Sequence, residues 1–252
     1  MSDSTSAATG DQGMPITWKG FCPICKQDTV FSSPDDWYRE QLVCTKCPDG
    51  FSIPRERALV TVLERLRPGW RDLVLHESSP SNRGLSVMFR RECPRYVPTQ
   101  FFKGLALGSI HHNYRCEDLE DQTFADGSFD IVITQDFFEH LFHPDKAYQE
   151  IFRTLRPGGI HLHTTPVWGD MPFSRQWARL RDDGTVEHLQ PPESHVNPID
   201  DSGSIVTYRY GYDLPDLIAR WTDFSVELCR WNDRYHGIVG AFTDVIICSK
   251  PG

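Results

Sequence analysis

The sequence predicts an α/β protein, in which a small cysteine-bearing module precedes a doubly wound, mostly parallel sheet. The clearest indication is the segment 124–166, which has the pattern of a strand, a helix, a Pro-Gly-Gly turn and a second strand. Such a crossover joins parallel strands, and sheets of this kind bind ligands at the carboxyl ends of their strands. Two Cys-x-x-Cys motifs near the N-terminus are the second indication.

The cysteine-bearing module contains Cys22 and Cys25, then 18 intervening residues, then Cys44 and Cys47. Four thiolates around one ion suit tetrahedral Zn²⁺ and leave no open position, so we expect a structural zinc site. A segment of about 35 residues buries little apolar surface, and a metal supplies folding free energy that burial does not. Two unconnected thiol pairs and an iron centre with four thiolates are the alternatives.

The next elements belong to the first half of the sheet. A helix is predicted from Pro54 to about Arg67, with Ser52 as its cap and Pro54 in its first turn. A short apolar run predicts the first strand at 72–76. The pattern then predicts a helix at 84–91, a second strand at 95–100 and a third near 112–116.

The second half begins with a fourth strand at 129–133, an apolar run typical of a strand buried on both faces. The helix after it, about 144–155, places Tyr148, Ile151 and Leu155 on one apolar stripe. A fifth strand resumes after the Pro-Gly-Gly turn. A helix at 213–221 and two closing antiparallel strands, at 224–231 and 241–248, complete the pattern.

These elements divide the chain into parts. Residues 1–14 are small and polar, and we predict a disordered tail there. Residues 15–53 are the predicted zinc-binding module, and residues 54–252 the α/β domain. Within that domain, residues at about 167–212 are rich in Pro, Asp, Gly and Trp, which predicts an irregular insertion or lid on the substrate side.

Composition limits the partners. The formal net charge is −9, which weighs against a broad nucleic-acid surface because such surfaces need clustered Lys and Arg. No apolar run is long enough to span a membrane, and the first residues lack a secretory pattern. We therefore predict a cytoplasmic protein with no membrane partner. In that compartment eight cysteines indicate metal binding or buried thiols rather than disulfides.

The runs DGSFDIV, QDFFEHLFHP and EIFRTLRPGG resemble the fourth strand, the next helix and the fifth-strand entry of class I S-adenosylmethionine (SAM) dependent methyltransferases. The resemblance is greatest to the broad small-molecule group called type 11, and it extends over residues 72–166. It implies a Rossmann-like fold, SAM as cofactor and methyl transfer as the activity. Another doubly wound domain is the alternative.

The first loop departs from the family pattern. The family has an acid and a Gly-x-Gly turn there, because glycine lets the backbone approach SAM closely. Here His76 stands at the acidic position and Ser78 at the first glycine. Either Glu77, Ser78 and Ser79 hold the methionyl group in another way, or SAM binding has been lost. The small, polar loop favours the first interpretation.

The resemblance assigns the remaining cofactor positions one at a time. Gln100 stands where the family binds the ribose hydroxyls. Asp118 matches the acid that accepts from the adenine amino group, with Leu119 beside the ring. Gln135 and Asp136 correspond to positions near the sulfonium.

Methyl transfer from a sulfonium requires a positioned nucleophile and, for many acceptors, removal of its proton. Histidine is the natural base near neutral pH. We select His195, in the segment PPESHVNP, as the first candidate and His140, in the Glu-His pair, as the second. A hydrogen bond that only shapes the loop is the alternative for His195, and a hydrogen-bonded histidine at the start of a helix is the alternative for His140. Tyr208, Tyr210 and Tyr212 are candidates for the wall of an acceptor pocket.

Three functions are compatible with these patterns. The first is SAM-dependent methyl transfer to an O or N atom of a small molecule or glycan. The second is methylation of structured RNA, which the negative charge and the lack of an Asn-Pro-Pro-Tyr motif disfavour. The third is a non-catalytic binding protein that has lost SAM. The sequence makes no prediction of the oligomeric state.

Overall fold

The computed structural model describes residues 14–47, 50–195 and 203–252, so the predicted N-terminal tail lies almost wholly outside the described residues. The cysteine-bearing module is a small antiparallel sheet with the strand order β1-β2-β3. It consists of β1 (Ile16–Cys22), β2 (Gln27–Ser33), a short helix α1 (Tyr38–Gln41) and β3 (Val43–Cys44). One cysteine pair therefore lies on the turn after β1 and the other at the end of β3.

Helix α2 (Pro54–Leu66) connects the module to the large sheet. The predicted cap is wrong. The N–H of Ile53 donates to Oε2 of Glu56 at 3.0 Å, so Glu56 caps the helix, while the hydroxyl of Ser52 lies 3.3 Å from Sγ of Cys47. Ser52 does not cap the helix because its hydroxyl contacts the cysteine cluster instead.

The first half of the large sheet contains the three predicted strands, the predicted helix and one further short strand at 110–111 that was not predicted. They are β4 (Leu75–Ser78), α3 (Gly84–Glu92), β5 (Tyr96–Gln100), β6 (Ile110–His111) and β7 (Tyr114–Cys116). The first strand begins three residues later than predicted, because residues 70–72 form a 3₁₀ turn. Trp70 fixes that turn: its ring is buried against Phe89, and its Nε1–H donates to Glu64 at 3.1 Å.

The second half starts with the crossover that the sequence shows most clearly: β8 (Phe129–Gln135), α4 (Pro144–Thr154) and β9 (Leu155–Thr164). The chain then forms three short antiparallel ribbons, β10 with β15, β11 with β12 and β13 with β14. The predicted insertion is thus partly regular, and its residues 196–202 lie outside the described residues. The strands of the ribbons are β10 (Arg175–Gln176), β11 (Ala178–Leu180), β12 (Val186–His188), β13 (Ser194–His195), β14 (Ser204–Ile205) and β15 (Tyr208–Arg209).

The chain ends with α5 (Leu214–Trp221), β16 (Ser225–Cys229) and β17 (Val245–Ser249). The large sheet has the order β16-β17-β9-β8-β4-β5-β7-β6. Strands β9, β8, β4, β5 and β7 are parallel, whereas β17, β16 and β6 pair antiparallel. This confirms the predicted doubly wound α/β fold. The strand order reverses between β4 and β8, and such a switch point opens a crevice at the carboxyl ends of the strands.

Apolar side chains cover both faces of the sheet. On one face Leu75 and Ile133 pack with α2 and α3, and on the other Val132 packs with Tyr148 and Ile151 of α4. The first cluster continues without a break into the cysteine-bearing module, where Cys22 and Phe31 are fully buried. The module and the sheet therefore share one core, and the boundary at residue 53 stays a prediction.

Candidate active site

The carboxyl ends of the parallel strands carry the polar side chains selected from the sequence. The loop after β4 replaces glycine with serine. Ser79 has φ of 54°, the left-handed region that glycine adopts most easily, and its N–H donates to the carbonyl of Thr99 at 2.8 Å. Ser81 donates from its hydroxyl to the carbonyl of Arg83 at 2.9 Å. Hydroxyl and backbone hydrogen bonds thus hold a turn that contains no Gly-x-Gly.

Glu77 lies at the switch point and braces it. Its carboxylate accepts from the hydroxyl of Tyr96 at 2.6 Å, from the hydroxyl of Ser86 at 2.8 Å and from Nε2 of Gln135 at 3.0 Å. These donors belong to β5, α3 and β8. Burial raises the pKa of Glu77 to about 6, although the three donors oppose the shift.

His76 lies on the opposite face of β4, because successive side chains of a strand point to opposite faces. It is fully buried, its Nε2 lies 2.9 Å from the hydroxyl of Thr99, and its ring stacks on Phe129 with centroids 4.7 Å apart. Burial lowers its pKa to about 3, so the ring is neutral at pH 7. The expectation that His76 takes the acidic position is corrected: Glu77 is the residue beside Gln135.

The other cofactor candidates separate into accessible and buried groups. Gln100 ends β5 and is partly exposed. Asp118 follows β7, is also partly exposed, and accepts from the N–H of Glu120 at 2.9 Å. Leu119 is instead buried in the core cluster that contains Phe129. The structure therefore brings Gln100 and Asp118 to the sheet edge and packs Leu119 beneath it.

Asp136, directly after β8, carries an ion-pair network that the sequence does not reveal. Nη2 of Arg39 lies 2.5 Å and Nε of Arg55 lies 3.1 Å from its carboxylate. Thr164 donates to the same carboxylate at 2.9 Å. Burial alone would raise the pKa of Asp136, but the Arg55 and Arg39 guanidinium groups outweigh it and lower the pKa. Since Arg39 lies on α1, the cysteine-bearing module reaches the sheet edge.

The two histidines selected as catalytic candidates lie side by side. His140 and His195 are 55 positions apart in the chain, yet their rings meet edge to face with centroids 5.0 Å apart. Nδ1 of His140 faces the carbonyl of Ile205 at 2.9 Å. Burial lowers the pKa of His140, which favours the neutral imidazole.

Glu139 completes this group, although it is not among the residues predicted from the sequence. Its Oε2 accepts from the hydroxyl of Thr165 at 2.9 Å, while its Oε1 is buried and has no hydrogen-bond partner among the described residues. Burial, with the nearby charge of Asp136, raises the pKa of Glu139 to about 8. Its position next to His140 in the Glu-His pair is the feature of the sequence that could have indicated it as a site residue.

The tyrosine candidates do not form one wall. Tyr210 is fully buried and donates from its hydroxyl to the carbonyl of Phe138 at 3.1 Å. Tyr208 stacks on it with centroids 5.8 Å apart. Tyr212 instead is exposed and accepts from Arg230 at 2.7 Å. Tyr210 is therefore a core residue, and an acceptor pocket lined by all three is not what the structure shows.

The four cysteines of the module converge at one point. Sγ of Cys22 lies 3.7 Å from that of Cys47, and Sγ of Cys25 lies 3.8 Å from that of Cys44. A disulfide requires about 2.05 Å, whereas a tetrahedron with metal–sulfur bonds of about 2.3 Å has sulfur–sulfur edges of about 3.8 Å. The geometry fits one tetrahedral ion.

A buried cation accompanies the sulfur cluster. Arg57 is fully buried, and its Nη2 donates to the carbonyls of Leu42 and Gly237, both at 2.8 Å. Burial lowers the pKa of Arg57 to about 10, and nearby thiolate charge opposes the shift. A Zn²⁺ ion with four thiolates would carry a net charge of about −2, which Arg57 is placed to offset.

Comparison with known proteins agrees with this architecture. Residues 98–163 match the family model of a methyltransferase domain. The class I methyltransferase resemblance is confirmed. Within the described ranges, no helix has both the length and the apolarity needed to cross a membrane.

Two curated relatives are similar to parts of the chain. An uncharacterized methyltransferase from Mycolicibacterium gilvum (strain PYR-GCK) is 40% identical over 45 residues, 18% of each protein. A malonyl-[acyl-carrier protein] O-methyltransferase from Marinomonas sp. (strain MWYL1) is 23% identical over 160 residues, 60% of this chain and 59% of the relative. The chain thus matches less than two thirds of the length of either relative.

Solved structures share the fold at low identity. A SAM-dependent methyltransferase from Mesorhizobium loti has a TM-score of 0.50 and 11% identity, covering 77% of this chain and 98% of its own. The Burkholderia thailandensis 1,6-didemethyltoxoflavin-N1-methyltransferase, solved with its substrate and S-adenosylhomocysteine, has a TM-score of 0.52 and 11% identity, with 79% of each chain covered. These likenesses show the fold.

The raised pKa of Glu77 predicts a specific pH dependence of stability. The ordinary pKa is 4.5 and the folded value about 6, so the neutral form favours folding, and this contribution is lost as the pH rises from 4.5 to above 6. We expect Glu77→Gln, which stays neutral, to gain about 1–2 kcal/mol relative to the unsubstituted protein over that range. Urea unfolding at several pH values measures the difference.

The matched control is Glu227→Gln, on an exposed position of β16, whose stability should follow that of the unsubstituted protein at every pH. If the free energy of unfolding of Glu77→Gln and that of the unsubstituted protein change in parallel with pH, the carboxyl group of Glu77 does not titrate in this range. Protonation of the cysteine cluster affects all three proteins equally and cancels in the comparison.

Proposed function

We propose that the protein transfers a methyl group from SAM to an O or N atom of a small molecule or glycan. One observation supports the proposal. The segment that matches a methyltransferase domain includes β8 and the polar residues at its end, and these lie beside the switch point of the sheet. Ligands of doubly wound sheets bind at that position.

The cofactor would lie across the ends of β4, β5, β7 and β8. In this assignment Gln100 binds the ribose hydroxyls, and Asp118 accepts from the adenine amino group. Ser78, Ser79 and Glu77 hold the methionyl end, since a carboxylate that already accepts three hydrogen bonds has room for one more. Gln135 and Asp136 lie on the sulfonium side.

The acceptor would approach from the side of His140 and His195. A neutral imidazole accepts a proton from a hydroxyl or amine near pH 7, and His195 is the more exposed of the two rings. The name of one similar protein, an O-methyltransferase, is consistent with an oxygen acceptor. The net charge of −9 weighs against RNA, and a cytoplasmic location stays a prediction.

We further propose that Cys22, Cys25, Cys44 and Cys47 hold one structural Zn²⁺. The sulfur–sulfur separations support this assignment, and the shared core means that the ion would stabilise the whole chain. Four thiolates leave no position for a substrate, so the ion would have no part in the chemistry.

Cofactor binding is the first measurement. We expect S-adenosylhomocysteine to bind the zinc-loaded protein, and at a concentration of about 100 Kd to stabilise it by about 2.7 kcal/mol. Asp118→Ala should weaken binding about 10-fold or more, because a hydrogen bond to a charged group contributes roughly 1.5–3 kcal/mol. Isothermal titration calorimetry measures both affinities.

Asp121→Ala is the control for this variant, since Asp121 is exposed in the same turn and should leave the affinity unchanged. If neither SAM nor S-adenosylhomocysteine binds or raises the melting temperature of the unsubstituted protein, the non-catalytic alternative replaces the enzymatic one.

The role of His195 is tested by turnover. With radiolabelled SAM and a panel of hydroxyl and amine acceptors, we expect His195→Ala to lose about 100-fold or more in rate, as general-base catalysis typically contributes that much. Its affinity for S-adenosylhomocysteine should not change. His188→Ala, exposed on β12, should turn over normally, and an unaltered rate in His195→Ala would remove His195 from the chemistry.

Metal content tests the cysteine site. Protein purified without chelators should contain about one zinc per chain, and Cys25→Ser should contain much less because the tetrahedron loses a ligand. Cys229→Ser, outside the cluster, should retain its zinc. Elemental analysis that finds iron instead supports the alternative four-thiolate centre, and analysis that finds neither metal contradicts the assignment.

A further inference from the structure

We propose that Glu139, His140 and His195 bind a divalent cation on the acceptor side of the crevice, where the cation would hold the oxygen of a hydroxyl acceptor. The ligand atoms of these three residues lie within 4.8 Å of one another, a spacing that one ion can bridge. The part of the proposal that concerns the acceptor rests on the proposed methyl transfer, whereas cation binding does not.

His140 has the hydrogen bond that a metal ligand requires. A ligating histidine usually donates its second ring N–H to a carbonyl or carboxylate, which fixes the tautomer. Nδ1 of His140 lies 2.9 Å from the carbonyl of Ile205, so Nδ1 carries the proton and donates. The lone pair is then on Nε2, which lies 3.9 Å from Oε1 of Glu139. A cation would fit between these two atoms.

Glu139 supplies a carboxylate oxygen that nothing in the described residues satisfies. Its Oε2 is anchored by the hydroxyl of Thr165, and its Oε1 is buried without a partner. Buried carboxylate oxygens in proteins normally have a hydrogen-bond donor or a cation. Asp136 does not compete for the ion, because Arg39 and Arg55 already pair with it.

His195 closes the site from the solvent side. It lies on β13, paired with Ser204 of β14, and its Nε2 is 3.6 Å from Oε1 of Glu193, too long for a hydrogen bond. Side-chain exposure increases from 3% for Glu139 to 17% for His140 and 39% for His195. The group thus has a buried end that anchors an ion and an open end through which the ion and an acceptor enter.

The ligand set favours particular metals. Two imidazoles and one carboxylate with open positions suit Fe²⁺, Mn²⁺ or Zn²⁺, whereas the four-thiolate cluster selects a softer ion in a closed shell. Three protein ligands leave positions for exogenous oxygen ligands. The protein would therefore have two unlike metal sites: a closed structural one in the module and an open one at the sheet edge.

An open cation site gives the acceptor a defined chemistry. A bound divalent cation lowers the pKa of a coordinated hydroxyl, and the released proton passes to water. The oxygen then forms a bond to the methyl carbon while the carbon–sulfur bond breaks and its electron pair stays on sulfur, leaving a neutral thioether. In this arrangement His140 and His195 would act as ligands, and the cation would activate the acceptor in place of the general base proposed above.

Protein that contains one zinc per chain, enough for the thiolate cluster alone, is titrated with Mn²⁺, and the decrease of the free Mn²⁺ signal in electron paramagnetic resonance tests the site. We expect one Mn²⁺ to bind per chain, and Glu139→Gln and His195→Gln each to weaken binding at least 10-fold. His143→Gln, on a partly exposed residue of the same segment outside the ligand group, should bind Mn²⁺ normally. Retained zinc and an unchanged circular dichroism spectrum show that each variant is folded.

The outcomes are decisive in either direction. Equal Mn²⁺ affinity in the unsubstituted protein and in both ligand variants, or no Mn²⁺ binding at millimolar concentration, overturns the proposal. If Glu139→Gln does not fold, His195→Gln on the solvent side provides the same comparison. Titration of the same samples with S-adenosylhomocysteine separates the two proposals, because cofactor binding without Mn²⁺ binding refutes only the cation site, and the reverse result refutes only the methyl transfer.

Discussion

The buried carboxylate of Glu77 lies where the sheet reverses its strand order, and its hydrogen bonds join the elements that meet there. Its three donors come from α3, β5 and β8, so one side chain joins the first strand to both neighbours and to the helix above them. An ionisable group in this position is costly to bury unless it is fully hydrogen-bonded. Its three hydrogen bonds offset part of that cost and hold α3, β5 and β8 against the end of β4 at the floor of the crevice.

The cysteine-bearing module is part of the same construction. Its core residues pack with α2 and the sheet, and Arg39, between the two cysteine pairs, reaches Asp136 at the end of β8. A free module on a linker could not place a guanidinium group within hydrogen-bonding distance of a strand end. An ion that orders the module therefore also orders the charge beside the crevice, which gives a structural metal an effect on the site without any contact with the cofactor.

Sequence periodicity predicted most of the architecture, because the crossover helix and the buried strands have strong local patterns. The helix α4 was expected at residues 144–155 and is found at 144–154. The site was less predictable. The pairing of β4 with β8 places Glu77, rather than His76, on the same face as Gln135, since neighbouring residues of a strand point to opposite faces. The contact of Arg39 with Asp136 spans 97 positions. The meeting of His140 with His195 depends on the β13–β14 ribbon, and no local pattern encodes either contact.

The charges at the sheet edge are consistent with the proposed methyl transfer. SAM carries a positive sulfonium that becomes a neutral thioether on transfer, so an unpaired carboxylate beside the sulfur would stabilise the reactant more than the transition state and slow the reaction. Asp136 is the carboxylate assigned to that side. It pairs with Arg39 and Arg55, and both arginines also pair with Glu40, so two carboxylates and two guanidinium groups leave a polar but nearly neutral surface. Among the described residues, no arginine or lysine pairs with Glu139, one turn further on. The proposed cation there would act on the acceptor, because negative charge would have to develop on a hydroxyl oxygen before it attacks the methyl group. Arginines thus neutralise Asp136 on the cofactor side, whereas Glu139 on the acceptor side is left available to bind the proposed cation.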